Sequence, residues 1–377
     1  MRGRSAILVV GAGFAGATYA RVLADAGWNV SVIDRRHHIA GNAADRIDDN
    51  GVLVHQYGPH LFHTNAEDVF AWLQRFAAWT PYCHRVRARL PDARLVPLPI
   101  NLDTINTVFD TAFTSATDTR DFLRRIATPI AAPRNAAEYL ASEIGTELTD
   151  LFFRRYTRKM WAVELEDLHP SVVKRLPLRH DRSDQYFNDR HQALPRDGYT
   201  SLIAAMLDHP AISVTTGCAF VPGMERDAHF CFNAMPIDEY FDYRLGPLPY
   251  RSLRFHHQTH YAWDGLPWAV RNYTDASPYT RETWWHCLPA HHRVETGRRT
   301  MTLEEPCDAM ENGHERYYPV RTADDRFQLR YRAYRDLADR LPNMIFIGRC
   351  GTYQYLDMDQ VVAQSLGGAR RWLAMAG

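Results

Sequence analysis

Two segments at opposite ends of this chain carry residue types suited to chemistry. Near the start, Ile7-Leu8-Val9-Val10-Gly11-Ala12-Gly13-Phe14-Ala15-Gly16 is an apolar run opening into G-x-G-x-x-G. Near the end, Gly348-Arg349-Cys350-Gly351-Thr352-Tyr353-Gln354-Tyr355-Leu356-Asp357-Met358 sets an arginine, two tyrosines and a carboxylate beside glycines. The first arrangement brings a dinucleotide pyrophosphate against bare backbone at a helix N-terminus, where unpaired N–H groups and the dipole favour anions. The second is how a site for an anionic sugar derivative is built. Further cations and aromatics lie between them. Lys174-Arg175-Leu176-Pro177-Leu178-Arg179 precedes Tyr186-Phe187-Asn188-Asp189, and Tyr279-Thr280-Arg281 and Tyr317-Tyr318-Pro319 repeat the mixture. Arginine forks suit diphosphate oxygens, and tyrosine hydroxyls add directional hydrogen bonds. Any single member is more often a surface residue, so the reading requires them to converge.

Tyr57-Gly58-Pro59-His60-Leu61-Phe62-His63-Thr64 places two histidines three apart. A zinc pair is disfavoured, because further ligands at suggestive spacing are missing. For His60, a rigid turn with a packed imidazole competes evenly with a functional role.

The elements that must position these residues begin with Ala6 to Val10 as a buried parallel strand, Phe14 to Ala26 as a helix and Asn29 to Asp34 as a second strand. Asp34 falls about 20 residues past the glycines, where an acid receives the adenosine ribose hydroxyls. This β-α-β context makes the glycine pattern a strong signal. Arg35 to Asn42, with Gly41 in a small-residue turn, resembles the segment that wraps the diphosphate in many FAD proteins, and so favours FAD over NAD. From Asn101 to about Leu168 the spacing turns helical: Thr104–Phe109, Asp121–Ile126, Ala136–Ile144 and Leu148–Lys159. Short alternating runs such as Arg251–Phe255 and Ala269–Tyr273 predict antiparallel strands. Asn343–Ile347 and Met358–Ala374 predict a closing strand and helix.

Bulk properties narrow the class. At 377 residues the chain predicts two or three domains. Its 46% hydrophobic and 23% charged content is that of an ordinary globular protein. Lys plus Arg (44) balances Asp plus Glu (44), which argues against a nucleic-acid partner. Any anion must therefore be held by a few placed arginines. Six cysteines without C-x-x-C spacing argue against zinc or a disulfide framework and for a reducing compartment. The short polar start fits no signal peptide, and no apolar run approaches the roughly 20 residues of a membrane span. The expectation is a cytoplasmic protein that uses no metal and no membrane.

Over nearly its whole length the chain resembles the UDP-galactopyranose mutase family. The matching phrases are Tyr57–Thr64, Val96–Asn106, Lys174–Pro177, Asp238–Phe255, Asn272–Arg281 and Gly348–Met358. The resemblance implies an α/β chain: an FAD-binding Rossmann-like domain with an inserted helical bundle and an antiparallel β-sheet domain. The expected divisions are 1–82 with 196–245 and 330–377 for FAD, 101–170 for the helices and substrate lid, and 83–100 with 171–195 and 246–329 for the sheet. It implies interconversion of pyranose and furanose forms of a UDP-linked sugar without net redox change. Reduced FAD is the nucleophile there, and the sugar passes through a covalent flavin adduct that opens to an iminium. It further implies a flavin-reducing partner or NAD(P)H, and a homodimer.

Position by position, Arg175 resembles the arginine of a mobile lid and Arg281 the fixed arginine opposite. Tyr186, Tyr318 and Tyr355 resemble tyrosines that hold the diphosphate. Arg349 and Asp357 match a charged pair near cofactor and sugar. His63 matches a histidine set against the flavin, and Asn272 an asparagine near the sugar. Phe152, Tyr156, Thr157 and Trp161 match the nucleoside pocket, with Trp161 beginning the lid. The cofactor set is Gly11, Gly13, Phe14, Ala15, Gly16, Asp34, Arg35, Gly41, Asn42, His60, Arg349, Asp357 and Met358.

The chain departs from the pattern at Ala40 and Ala162, where relatives carry glycine. It also departs at Phe232–Pro236, where Met235 is bulky, and at Trp284-Trp285-His286. These departures suggest a specialised sugar. Two other readings compete with the mutase. One is an FAD-dependent oxidoreductase of the amine-oxidase type, which would consume an acceptor on every turnover. The other is a sugar-nucleotide binder without chemistry, against which Arg175, Arg281, Arg349 and Asp357 speak.

Overall fold

The apolar run Ile7–Val10 lies at the centre of a five-stranded parallel sheet, in the order Ile212–Thr216, Val30–Asp34, Ile7–Val10, Phe230–Asn233, Met344–Phe346. Its central strands are covered on both faces, so Ile7, Val9, Val30, Val32 and Phe232 are buried. The computed structural model describes residues 6–174, 177–261, 265 and 267–376. The helix Phe14–Asp25 crosses one face and packs against the long closing helix Met358–Ala376. Only glycine fits at position 16, where a Cβ would stand 1.8 Å from the Gly11 carbonyl oxygen. The third glycine of the fingerprint thus lets helix and strand touch.

A seven-stranded sheet follows the order Tyr318–Pro319, Tyr250–His260, Arg299–Asp308, Arg281–Trp284, Val270–Tyr273, Val86–Arg89, Leu95–Leu98. Neighbours are antiparallel except Val270–Tyr273 with Val86–Arg89, which run parallel. The strand expected at Arg251–Phe255 continues to His260, because Arg299–Asp308 pairs with it along its length. The strand His191–Pro195 joins Phe62–Thr64 and Trp79–Pro81 in a separate three-stranded sheet, not the larger one. Residue 330 falls inside the helix Arg326–Ala338, so a boundary there would cut a continuous element.

The chain between strands Leu95–Leu98 and His191–Pro195 forms the helices Leu102–Phe109, Ala116–Ile126, Ala136–Leu148 and Arg155–Trp161. Their starts have sequence causes. Asn101 and Asn135 cap two N-termini, and Ser115 with Asp118 forms a capping box. Helix Ala136–Leu148 kinks at Gly145 (φ +76°), where a Cβ would meet the Ile126 carbonyl oxygen at 2.5 Å. A π-helical turn, Thr149–Arg154, then links it to Arg155–Trp161. One apolar core runs through all three regions, with Phe232, Leu148 and Val270 among its members.

Candidate active site

The two ends of the chain meet at the fingerprint. A Cβ on Gly348 (φ +68°) would stand 3.0 Å from the Ala15 Cβ, so the turn carrying Arg349 rests on the first helix. Gly13 caps that helix without a side-chain partner, leaving its first-turn N–H groups to a ligand. Gly41 faces it: a Cβ there would lie 3.2 Å from the Gly13 Cα. The two backbones form a cradle that any side chain would fill. Asp34 is buried at the end of its strand, accepting from Ala12 N (2.8 Å) and Arg36 N (2.9 Å). Its carboxylate is therefore oriented, with lone pairs left for ribose hydroxyls. These residues fit a dinucleotide.

Within the Arg35–Asn42 segment the embedded arginine is Arg36, which the sequence does not single out. Arg36 pairs with Glu315, donates to Asn42 Oδ1 (2.9 Å) and lies 4.4 Å over the Tyr57 ring. Arg35 is more exposed and stands 3.6 Å from Glu315, while Asn42 also donates to the Arg316 carbonyl (3.3 Å). Arg35 and Asn42 thus have protein partners, and Gly41 is the member of the segment set against the glycine loop.

A cleft of about 1060 Å³ opens between the helices, the seven-stranded sheet and the Gly348–Met358 segment. It gathers residues far apart in sequence: His60, His63, Phe152, Tyr156, Thr157, Trp161, Tyr186, Asn272, Arg281, Tyr318, Arg349, Tyr355, Asp357 and Met358 all line it. Arg175 lies outside the described residues, and its neighbours Lys174 and Pro177 line the cleft. The π-turn sets the helical contribution. It re-phases the helix so that Phe152, Phe153, Tyr156, Thr157, Met160 and Trp161 share one face toward the cleft.

Arg281 sits directly across the sheet from Glu304, its guanidinium 3.6 Å from the carboxylate. Burial alone would push the guanidinium pKa down, but Glu304 together with Tyr156, Tyr318 and Tyr186 outweighs it, and the group is held well above its ordinary value. Burial raises the Glu304 carboxyl, an effect that Arg281 only partly offsets. Arg349 donates to the Tyr317 carbonyl (2.6 Å) and stands 5.0 Å over the Tyr355 ring. Tyr355 meets Tyr318 edge-on at 5.3 Å, and Trp161 is edge-on to both. Asn272 Oδ1, Arg281 Nε, Glu304 Oε1 and Arg349 Nε are buried with no hydrogen-bond partner among the described residues. Such atoms are costly unless something else satisfies them. A polar ligand in this cleft would do so.

The histidines are fixed by their partners. His60 donates from Nδ1 to the Gly58 carbonyl (2.8 Å), and burial pushes its imidazole down to about 4, so the ring is neutral. Its backbone N–H donates to His55 Nδ1 (3.0 Å), and His55 Nε2 faces His291 Nε2 at 3.1 Å. His63 bonds Asp189 (2.7 Å) and stacks on Phe187 at 3.7 Å. Glu304 and His84 also line the cleft, although the sequence does not reveal them. Burial pushes His84 down to about 3, and Nδ1 meets the Tyr82 hydroxyl at 3.1 Å. The signal for Glu304 is its sheet register with Arg281, which sequence spacing does not encode. Among the described residues no group of three or more His, Cys, Asp or Glu could hold a metal ion, and no helix is long and apolar enough to cross a membrane.

Known proteins are similar to this chain in sequence and in fold. A family profile for UDP-galactopyranose mutase matches residues 151–355, and one for NAD(P)-binding Rossmann-like domains matches residues 9–76. The chain is 38% identical to a probable UDP-galactopyranose mutase of Klebsiella pneumoniae, covering 98% of this chain and 94% of that one. It is 35% identical to dTDP-fucopyranose mutase of Escherichia coli, covering 96% of each. In fold it is similar to a crystal structure of reduced UDP-galactopyranose mutase, with a TM-score of 0.78 at 16% identity over 99% of this chain and 94% of that one. With this identity holding along the full chain and this cleft geometry, the protein belongs to the UDP-galactopyranose mutase family, a family of isomerases.

Proposed function

We propose that this enzyme interconverts pyranose and furanose forms of a sugar carried on a nucleoside diphosphate, with UDP-galactose or a close analogue as substrate and reduced FAD as cofactor. One observation carries the reading: two arginines and four tyrosines from distant segments converge on one cleft, and Gly348, next to Arg349, packs on Ala15 of the helix that the glycine loop opens. Relatives named for UDP-galactopyranose and for dTDP-fucopyranose share one substrate feature, a pyranose on a nucleoside diphosphate.

The chain's residues act on the leaving group. Arg281 and Arg349 present fixed cations to a diphosphate, and Tyr156, Tyr186, Tyr318 and Tyr355 add hydroxyls around it. Because Arg281 is part-buried and already paired with the buried Glu304, it offers its charge without reorganising at the moment of bond breaking. Removing such a fixed donor costs about 3 kcal/mol of barrier, by comparison with oxyanion-hole deletions. Phe152 and Trp161 supply an apolar wall for the base, with the buried Thr157 hydroxyl beside them. Asn272, with Oδ1 unsatisfied, is placed to accept from a sugar hydroxyl. The glycine cradle, Asp34 and Met358 would hold FAD, which when reduced supplies the nucleophile for the anomeric carbon. All six cysteines are free thiols, which suits a reducing cytoplasm, where NAD(P)H or a flavin-reducing partner would maintain the active state.

The test is an anaerobic assay of the purified holoenzyme, chemically reduced, with UDP-galactofuranose added and UDP-galactopyranose followed by chromatography. Product that requires reduced flavin but consumes no stoichiometric reductant supports the mutase. Reductant or oxygen consumed once per turnover overturns it in favour of an oxidoreductase.

A further inference from the structure

The chain as a whole is electrically balanced, with 44 basic and 44 acidic residues, but the cleft is not. Among the described residues lining it are six Lys or Arg side chains and three carboxylates, Asp189, Glu304 and Asp357. Asp189 is bonded to His63 and Glu304 faces Arg281, so these two acids are already engaged. The excess cations sit at the rim. The helix Arg326–Ala338 turns Gln328, Tyr331, Arg332 and Arg335 toward the opening, the i, i+3, i+4, i+7 spacing of one helical face. Arg332 and Arg335 are exposed, and neither side chain has a hydrogen-bond or ion-pair partner among the described residues.

Their neighbours behave differently. Arg326 stands 3.6 Å from Asp324, Arg330 donates to the Pro247 carbonyl, and Arg321 stands 3.5 Å from Asp325 and 3.2 Å from Ser171 Oγ. Asp336 on this helix and Asp339 at its C-cap stand at i+4 from Arg332 and Arg335, yet neither forms an ion pair with them. Across the mouth stands Lys174, its ammonium 4.7 Å over the Tyr139 ring. Unpaired guanidinium forks cost little in water and are available to an incoming anion.

We infer that Arg332 and Arg335 form a capture site at the cleft mouth for the diphosphate of a nucleoside diphosphate, raising its rate of entry without touching the reacting atoms. The inference rests on the substrate class proposed above. Two guanidinium forks left free of direct ion pairs at the mouth place positive charge at the opening, and such charge raises on-rates in a strongly salt-dependent way.

The experiment compares flavin-loaded wild type, the double variant R332Q/R335Q and a control, R326Q, whose arginine is on the same helix but outside the cleft. Stopped-flow tryptophan fluorescence would follow binding of UDP and of uridine. Salt would be set at about 10 mM and about 1 M, where the Debye length is about 30 Å and about 3 Å. For the double variant, we expect the UDP association rate to fall roughly fivefold to tenfold at low salt, with little change in dissociation. High salt should erase the difference, and uridine entry and the R326Q control should match wild type. Equal UDP association rates in wild type and double variant at low salt would overturn the capture site, as would an equal fall for uridine. A wild type that binds UDP no better than uridine would instead overturn the substrate reading itself.

Discussion

Arg281, part-buried, and Glu304, fully buried, form a pair whose strength can be worked from the structure. At 3.6 Å and an effective dielectric of about 20, their attraction is about 5 kcal/mol before desolvation. Removing one partner leaves the other charge buried without its counter-ion, which costs about 3–5 kcal/mol. Replacing both costs far less, because no orphan charge remains. The perturbation is therefore a double-mutant cycle of Arg281→Met, Glu304→Gln and the double variant, each read by urea unfolding at neutral pH. Each single variant should lose about 3 kcal/mol or more of stability, and the pair should show a coupling of about 2–3 kcal/mol. Glu304→Gln has a second readout. With Arg281 freed from its carboxylate, UDP should raise the melting temperature of this variant more than that of wild type. Single losses that add within about 0.5 kcal/mol would refute the reasoning. The pair would then be screened by water, and Arg281 would not be the preorganised cation that the proposed chemistry needs.

Three further outcomes follow from local geometry. His60 and His291 are each pushed down to about 4 by burial, from an unfolded value of about 6.5. The folded state binds fewer protons between those values, so stability is full above about pH 6.5 and falls toward pH 4, by up to about 3 kcal/mol per histidine. His291→Gln, which keeps an acceptor for His55, should flatten this fall in urea midpoints; an unchanged slope would contradict the assignment. Ala40 and Ala162 hold φ of +70° and +54°, a left-handed conformation that costs an L-residue about 1 kcal/mol or more. Glycine returns about 0.5 kcal/mol of this through unfolded-state freedom, so Ala40→Gly and Ala162→Gly should each stabilise by about 0.5 kcal/mol or more in thermal melts, and a loss would refute the strain. Gly41→Ala puts a methyl group into the cradle opposite Gly13 at φ +55°, so flavin retained after dialysis should drop while far-UV circular dichroism stays unchanged.

Local elements were legible because their causes are local. The six-residue glycine fingerprint, the strand before it and Asp34 after it all follow from periodicity and backbone demands, and the strands form at Ile7–Val10 and Val30–Asp34. Helix ends shifted by a few residues. Ala116–Ile126 begins earlier than its apolar spacing suggests, because the Ser115–Asp118 capping box starts it. The backbone at residues 40 and 162 is left-handed, a conformation that glycine adopts at least cost, and this chain carries strain there instead.

The sequence by itself determined the nucleotide-binding unit, the family and several of the arginines and tyrosines that line the cleft, Arg281, Arg349, Tyr186, Tyr318 and Tyr355 among them, since side-chain chemistry at fixed spacing survives without knowledge of contacts. Only the tertiary structure decided which of these groups face one another. Arg299–Asp308 carries charged residues and so lacks a clean alternation, yet its register against Arg281–Trp284 sets Glu304 opposite Arg281. Arg35 and Arg36 are indistinguishable as a pair of letters. The alternate side-chain directions past the strand end bury Arg36 on Tyr57 and leave Arg35 outward. His84 and the unpaired rim of Arg332 and Arg335 likewise acquire meaning from what lies across the cleft. Pairing across such distances depends on sheet register and helix phase, and a π-turn or a one-residue shift in register changes both without leaving a mark in composition.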